Sequence, residues 1–241
     1  MSSRKRKPTT LKRGISANAI LTAAVVTIAI GIIVGALLVN RSNNGGEDAG
    51  SGGSQLQRHT LIEAADKKVT VVEFLDYQCP ACASFYTGVT KQLERDYSGR
   101  ITFVARNFPL EVHPLALPAA RAAEAAAEQD KYSQMYHALY DNYRQWAVSS
   151  GGGISDDTDR AEARFEDYAR AIGLDIDRFR RDAASPEIGR HIETDLADGA
   201  RAGVTSTPGI FVNGKKFQPT GDSYADVDRQ LRELLDSELK R

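Results

Sequence analysis

The chain has 241 residues, of which 41% are hydrophobic and 26% are charged, which excludes a wholly disordered or collagen-like protein. Its formal net charge is −1, of which residues 1–57 contribute +5 and the remaining residues −6. Because contacts to phosphates need a basic surface, an acidic main domain argues against a nucleic-acid partner. Two cysteines are too few for a multi-disulfide scaffold.

A run of 21 uncharged residues occupies positions 19–39. As a helix it would be about 31 Å long, which matches the hydrocarbon core of a bilayer. Six basic residues precede it and one, Arg41, follows, so we expect residues 1–18 to be a basic cytoplasmic tail and the rest to lie outside the membrane. A cleaved secretory signal is the alternative, but such signals have a shorter apolar region, of about 7–15 residues, and a small-residue cleavage site. The sequence therefore predicts a single-pass protein of the cell membrane, held by its own helix.

Residues 40–57 form a predicted flexible linker, since they are rich in Gly, Ser and Asn. The extracytoplasmic domain then covers residues 58–241. Its first apolar run, residues 69–75, predicts a buried strand. An amphipathic helix is expected over about residues 80–97 and a second strand over 101–108. This strand–helix–strand order predicts a βαβ unit with parallel strands.

A helical insertion is predicted from about residue 114 to 202. Its tyrosines recur at helical spacing, which indicates core packing rather than a cofactor site. The glycines at 151–153 lack a phosphate-loop ending and are interpreted as a connector. Ser185 is expected to cap a helix whose apolar face carries Ile188, Ile192 and Leu196. The chain then returns to a strand at 209–212, an Asn213-Gly214 turn, a return strand at 215–217 and a final amphipathic helix.

Both cysteines lie in one motif, Cys79-Pro80-Ala81-Cys82. The motif follows a predicted strand and opens a predicted helix, where free backbone N–H groups and the helix dipole favour a negative charge. We therefore expect Cys79 to be exposed, readily ionised and the sulfur that attacks or is attacked. Cys82, one turn further along, is expected to be shielded and to resolve the mixed disulfide.

Other uses of the cysteines fit less well. A structural zinc needs four ligands, and the histidines lack the spacing of a zinc site, so we expect no metal. A purely structural disulfide across four residues would constrain the unfolded chain very little. No motif indicates a bound cofactor. His113, which precedes Pro114, is expected to cap a helix, while His137 and His191 fall on predicted helices.

Three separated motifs together resemble the DsbA-like thiol–disulfide oxidoreductases of the thioredoxin superfamily. The segment from Glu73 to Cys82 (EFLDYQCPAC) resembles the active-site segment of that family. Residues 108–114 resemble the start of its helical insertion, and residues 204–214 (VTSTPGIFVNG) resemble its cis-proline loop and following hairpin. The likeness is greatest to membrane-anchored members of Gram-positive bacteria and actinobacteria. It implies an α/β, thioredoxin-like fold with a helical insertion, preceded here by a single transmembrane helix.

The resemblance also implies roles for single residues. Thr207-Pro208 would contain a cis peptide bond facing Cys79 and leave backbone free to pair with an extended substrate. Glu73 would be a buried acid beneath the disulfide that exchanges a proton with Cys82. The dipeptide between the cysteines is Pro-Ala, where the best-known members carry Pro-His, and an alanine cannot hold a thiolate as an imidazole does.

Three functions follow as hypotheses. The first is formation of disulfides in unfolded or partly folded exported proteins, with recycling by the quinone-linked membrane thiol oxidase that the resemblance implies. The second is a disulfide reductase or isomerase, which the reduction potential of the pair would distinguish. The third is a tethered peptide-binding or chaperone module whose disulfide is idle, so that client binding would survive replacement of both cysteines.

Overall fold

The computed structural model describes residues 59–221 and 223–241. Within these ranges it contains no helix that is both long and apolar enough to cross a bilayer. The predicted tail (1–18), transmembrane helix (19–39) and linker (40–57) lie outside the described residues and stay predictions.

A five-stranded mixed sheet forms the centre of the domain, in the order β1-β3-β2-β4-β5. Its strands are β1 (Thr60–Ile62), β2 (Thr70–Leu75), β3 (Thr102–Asn107), β4 (Gly209–Val212) and β5 (Lys215–Lys216). β2 and β3 are parallel, which confirms the predicted βαβ unit. β4 runs antiparallel to β2 and β5 to β4, so the hairpin at Asn213-Gly214 extends the sheet as expected. β1 was not predicted: its three residues are too few to show a period.

The crossover between β2 and β3 is helical throughout. α1 (Pro80–Phe85) leads through a π-helical turn (Tyr86–Thr90) into α2 (Lys91–Asp96). The predicted helix is therefore present, but with one wider turn in its middle. The sequence already contains the spacing for it, because Phe85, Val89 and Leu93 are each four residues apart and all are buried. An ideal helix of about 3.6 residues per turn would carry such a series round its surface, whereas the wider turn keeps it on one face.

The segment predicted as a helical insertion contains six helices. They are α3 (Ala116–Ala127), α4 (Tyr132–Asp141), α5 (Tyr143–Trp146), α6 (Thr158–Ala171), α7 (Ile176–Ala183) and α8 (Pro186–Arg201), and α9 (Tyr224–Leu239) ends the domain. The Ser185 hydroxyl caps α8 by accepting from the Ile188 N–H, as predicted. Leu196, however, is 37% exposed, so its expected place in the core is wrong. Asp195 takes the buried position instead, because its carboxylate meets Arg106 and Asn107 of β3.

The sheet packs apolar side chains on both faces. One face meets α1, α2 and α9 through a cluster that includes Val71, Phe103 and Leu231. The other face carries a smaller cluster around Phe74. Since side chains alternate along a strand, Glu73 points to the same side as Val71, toward the helix that begins beside Cys79.

Candidate active site

Cys79 lies between the end of β2 and the start of α1, where it occupies the N-cap position of this helix. No side chain caps the helix, so its free backbone N–H groups face the sulfur, and those of Ala81 and Cys82 contribute to stabilising a thiolate there. The largest effect on the pKa of Cys79 comes from the Cys82 thiol, which donates to a Cys79 thiolate and lowers the pKa. Burial raises it, but the thiol, Thr207 and the two backbone N–H groups together lower it to about 5. The predicted ionisation is thus supported by the geometry.

Cys79 is much less exposed than the sequence predicted. The residue is only 7% exposed, because the loop before β4 lies over it and the Thr207 carbonyl oxygen accepts from its sulfur at 3.6 Å. Cys82 is completely buried, and its pKa is raised well above 9.0, mainly by burial. Neither cysteine forms a disulfide in the structure. The two sulfurs are therefore unequal, since Cys79 alone combines some access with a stabilised negative charge.

The Thr207-Pro208 peptide bond is cis, as the resemblance implies. Thr207 is 7% exposed; its carbonyl oxygen contacts the Cys79 sulfur, and its side chain lowers the pKa of Cys79. The loop brings these groups to Cys79 because β4, which begins at Gly209, pairs directly with β2.

Glu73 lies beneath the pair and is 1% exposed, which rules out the alternative of a solvent-facing residue on an edge strand. It sits on β2, a central strand between β3 and β4. Burial is the main reason that its pKa is raised to about 8, and the nearby charges of Cys79 and Glu94 act in the same direction. At neutral pH the side chain is therefore a protonated acid close to both sulfurs.

Sequence reasoning missed Gln78, the residue before Cys79. Its side chain is fully buried and bonds three separate parts of the insertion: it donates to the carbonyls of Ala147 (3.3 Å) and Ser155 (2.7 Å) and accepts from the Leu115 N–H (2.7 Å). The active-site turn is thus attached to the helical insertion. No spacing rule identifies such a residue, because its partners are backbone groups far along the chain.

Asp76 was also missed, and His113 does not do what was expected. The N-terminus of α3 has no side-chain cap. The His113 ring instead contacts the Asp76 carboxylate at 2.6 Å, and that carboxylate also accepts from the N–H groups of Gln78 and Leu110. Asp76 therefore shapes the turn that carries Cys79 and ties it to the loop before α3.

A second polar cluster lies away from the cysteines. The donor atoms of His59, Glu124 and Asp195 lie within 4.8 Å of one another and could hold a metal ion. Their oxygens already accept from protein N–H groups: Asn107 donates to Glu124 at 2.5 Å and Arg106 to Asp195 at 2.7 Å. The arrangement is thus a hydrogen-bonded network between the insertion and the sheet, and we assign no chemistry to it.

Comparison with known proteins places this geometry in a family. The family described as Thioredoxin matches residues 59–233, a span that contains β2, both cysteines and the cis-proline loop. A Na(+)/H(+) antiporter NhaA 1 of Mycolicibacterium gilvum is 33% identical over 161 residues, which are 66% of this chain and 24% of the antiporter. The chain therefore spans about a quarter of the length of the curated relatives it matches.

Solved structures give the same fold. A thioredoxin-like oxidoreductase from Silicibacter pomeroyi is 27% identical with a TM-score of 0.57, over 78% of this chain and 97% of that one. The thiol-disulfide exchange protein alpha-DsbA2 from Wolbachia pipientis is 25% identical with a TM-score of 0.57, over 73% and 84% of the two chains. These neighbours support the general oxidoreductase class. A mixed sheet, a helical insertion and a family match across the whole described core lead to one conclusion: the chain belongs to the thioredoxin family and has a DsbA-type oxidoreductase fold.

Proposed function

We propose that this chain is a membrane-anchored thiol–disulfide oxidoreductase that forms disulfides in exported proteins through Cys79 and Cys82. The observation that carries the proposal is the inequality of the two sulfurs. The pKa of Cys79 is lowered to about 5, whereas Cys82 is buried and its pKa is raised. A stabilised Cys79 thiolate stabilises the reduced pair, and so makes the disulfide the stronger oxidant.

The reaction begins with the Cys79–Cys82 disulfide. A substrate thiolate attacks the Cys79 sulfur, a mixed disulfide forms, and the electron pair of the broken bond leaves on Cys82, which takes a proton. Glu73 would supply that proton, and two facts support this role: it is buried near the pair, and it is protonated below its pKa of about 8. A second substrate thiolate then attacks the substrate sulfur, and Cys79 leaves as a thiolate. Two electrons have passed to the enzyme and the substrate has gained one disulfide.

The substrate is expected to be an extended, partly unfolded segment with free cysteines. The backbone beside Thr207-Pro208 is where such a segment would pair during the mixed-disulfide stage. Recycling would fall to a quinone-linked membrane thiol oxidase, which takes two electrons from the reduced pair. The predicted helix at 19–39 would hold the domain at the extracytoplasmic surface of the cell membrane, near that partner and near proteins as they are exported.

The test uses the full-length chain and a reduced, unfolded protein substrate. The parent, oxidised beforehand, should oxidise it, whereas Cys79→Ser and Cys82→Ser should not, since neither can form the Cys79–Cys82 disulfide. When the substrate is supplied instead as its mixed disulfide with glutathione, the Cys79 thiolate of Cys82→Ser should attack it, release one thiolate and remain joined to the substrate or to glutathione through Cys79. Ser206→Ala, an exposed change in the same loop as Thr207, is the matched control and should keep full activity. Equal rates for the parent and Cys79→Ser would end the proposal.

Redox titration against glutathione measures the reduction potential of the Cys79–Cys82 pair, which distinguishes an oxidase from a reductase. A potential of about −120 mV is expected for an oxidase, while a value of about −270 mV would assign the chain to reduction. The chaperone alternative predicts that the variant with both cysteines changed to serine still binds unfolded clients with unchanged affinity and shows no redox phenotype.

A further inference from the structure

The helical insertion reaches beneath the redox pair through Tyr136 of α4. Its side chain is completely buried. Its ring lies 6.1 Å from that of Tyr77 and 5.6 Å from that of Tyr86, residues that flank the two cysteines in the chain. Its hydroxyl is close enough to the Glu73 carboxyl to lower the pKa of that group, and the Thr90 side chain in turn lowers the pKa of Tyr136. An element outside the sheet and its crossover helix thus contacts the acid beneath the disulfide.

Glu73, Thr90 and Tyr136 form a cluster of buried oxygens. The three residues are 1%, 0% and 0% exposed. Among the described residues, no group makes a hydrogen bond of ordinary length and angle to either Glu73 oxygen or to the two hydroxyls. Buried oxygens are costly to leave unpaired, and the polar groups that influence these are the members of the cluster themselves, so small shifts that pair them with one another are favoured. The π-helical turn creates the cluster, since Thr90 is its last residue and points inward.

The Glu94–His137 pair lies between this cluster and the surface. Glu94 follows Thr90 by one helical turn, and His137 follows Tyr136 directly. The His137 Nε2 atom is 2.9 Å from Glu94 Oε1, and their side chains are 33% and 19% exposed. Both hydroxyl-bearing residues of the cluster are therefore next to a solvent-reaching, proton-binding pair.

We propose that the helical insertion provides a proton path between Glu73 and solvent, in which Tyr136 is the positioning residue for Glu73 and the Glu94–His137 pair is the outer end. This inference rests on the proposed thiol–disulfide chemistry and deepens it. Without such a path, the proton transfer from Glu73 to the leaving Cys82 sulfur would leave Glu73 a buried carboxylate until reoxidation of the pair returns the proton.

The proton and electron balance is simple. A dithiol reductant attacks Cys79, gives two electrons to the disulfide and loses two thiol protons to solvent. The proton of Glu73 goes to Cys82, and Glu73 regains one from solvent by way of His137–Glu94 and the two hydroxyls. The charges that face Glu73 are those of Cys79 and Glu94. A negative charge on Glu73 in turn raises the pKa of four neighbouring groups, those of Cys82, Tyr77, Tyr136 and Tyr140.

The first experiment compares Tyr136→Phe with Tyr132→Phe in the full-length chain. Tyr132 is another buried tyrosine of the same helix, but its hydroxyl bonds to Tyr77 at 2.9 Å. The protonation of Glu73 is followed by its carboxyl infrared band, which Glu73→Gln identifies. Because the Tyr136 hydroxyl lowers the pKa of Glu73, its loss should raise that pKa by about one unit, a tenfold change in proton affinity. Tyr132→Phe should leave the band unmoved. An unchanged Glu73 pKa in Tyr136→Phe would overturn the proposal.

The second experiment tests the outer end with dithiothreitol as reductant. In weak buffer, His137→Ala should slow reduction of the disulfide by about tenfold, and added imidazole should restore the rate by replacing the missing proton carrier. A structural role for His137 would not respond to imidazole, so absence of rescue, or of slowing, would refute the path. Since dithiothreitol replaces any protein substrate, a failure here is distinguishable from a failure of the oxidase function.

Discussion

The Tyr143 hydroxyl donates a hydrogen bond of 2.7 Å to the backbone carbonyl of Gln78, the residue before Cys79. Together with the three bonds of the Gln78 side chain, this contact fixes the active-site turn to the helical insertion. The insertion is therefore part of the support of the reactive sulfur.

Gln78→Ala should destabilise the protein by about 3 kcal/mol, since it leaves the buried Leu115 N–H and Ser155 carbonyl without their partners. The Ala147 carbonyl keeps its bond from the Ser155 N–H. Denaturant unfolding measures the effect. The matched control is Gln92→Ala, whose half-buried amide donates only to the Gly88 carbonyl and whose loss should cost about 1 kcal/mol or less. Equal losses for the two variants would contradict the role assigned to Gln78.

The reduced protein should become more stable relative to the oxidised protein as the pH rises. In the folded reduced state the pKa of Cys79 is about 5, against a usual value of 9.0. The thiolate therefore adds no stability below about pH 5, adds more between about pH 5 and 9, and contributes fully above that range. The limit is on the order of 5 kcal/mol. Denaturant unfolding of both forms across this range measures the difference, and reduced Cys79→Ser should lack the trend.

Thr207→Val should raise the pKa of Cys79, because it removes a hydroxyl while keeping the shape of the side chain. The ultraviolet absorbance of the thiolate, followed against pH in the reduced protein, reports the change. We expect a rise of about one unit, equivalent to about 1.4 kcal/mol. Thr205→Val, an exposed change two residues away, serves as the control and should titrate like the parent.

Asp195→Ala should cost about 3–5 kcal/mol of stability, because it leaves the half-buried Arg106 guanidinium without its main partner. Asp167→Ala removes a carboxylate that is 54% exposed and pairs with Arg170, and should cost about 0.5 kcal/mol or less. Thermal unfolding of the two variants beside the parent tests both values. A small effect at Asp195 would show that Asp198, which also contacts Arg106, suffices.

Strands β2 to β5, the crossover helix and the cysteine motif could be predicted because each is encoded locally. A continuous apolar run marks β2, four-residue apolar spacing marks the crossover helix, and the turn residues Asn213-Gly214 mark the hairpin. The cis bond at Thr207-Pro208 came from resemblance, not from spacing. The predicted membrane segment at 19–39 lies outside the described residues and is not tested by the structure.

What could not be predicted depends on partners far along the chain. Leu196 and Asp195 are neighbours on α8, and nothing in the sequence of that helix says which is buried; the polar groups of β3 decide it. Gln78 is likewise defined by backbone groups of the insertion. His113 looked like a helix cap, yet its partner is Asp76, well upstream in the chain.

The π-helical turn at Tyr86–Thr90 has a consequence for the direction of the cysteines. This turn holds one residue more than an α-helical turn would, so winding the same residues into an ordinary α-helix would rotate everything upstream by about 100° relative to α2. Such a rotation would turn Cys82 away from Glu73 while leaving both sulfurs, the proline loop and the strand in the sequence. The wider turn thus lets Cys82 face Glu73 while the buried side chains of α2 stay packed against the sheet.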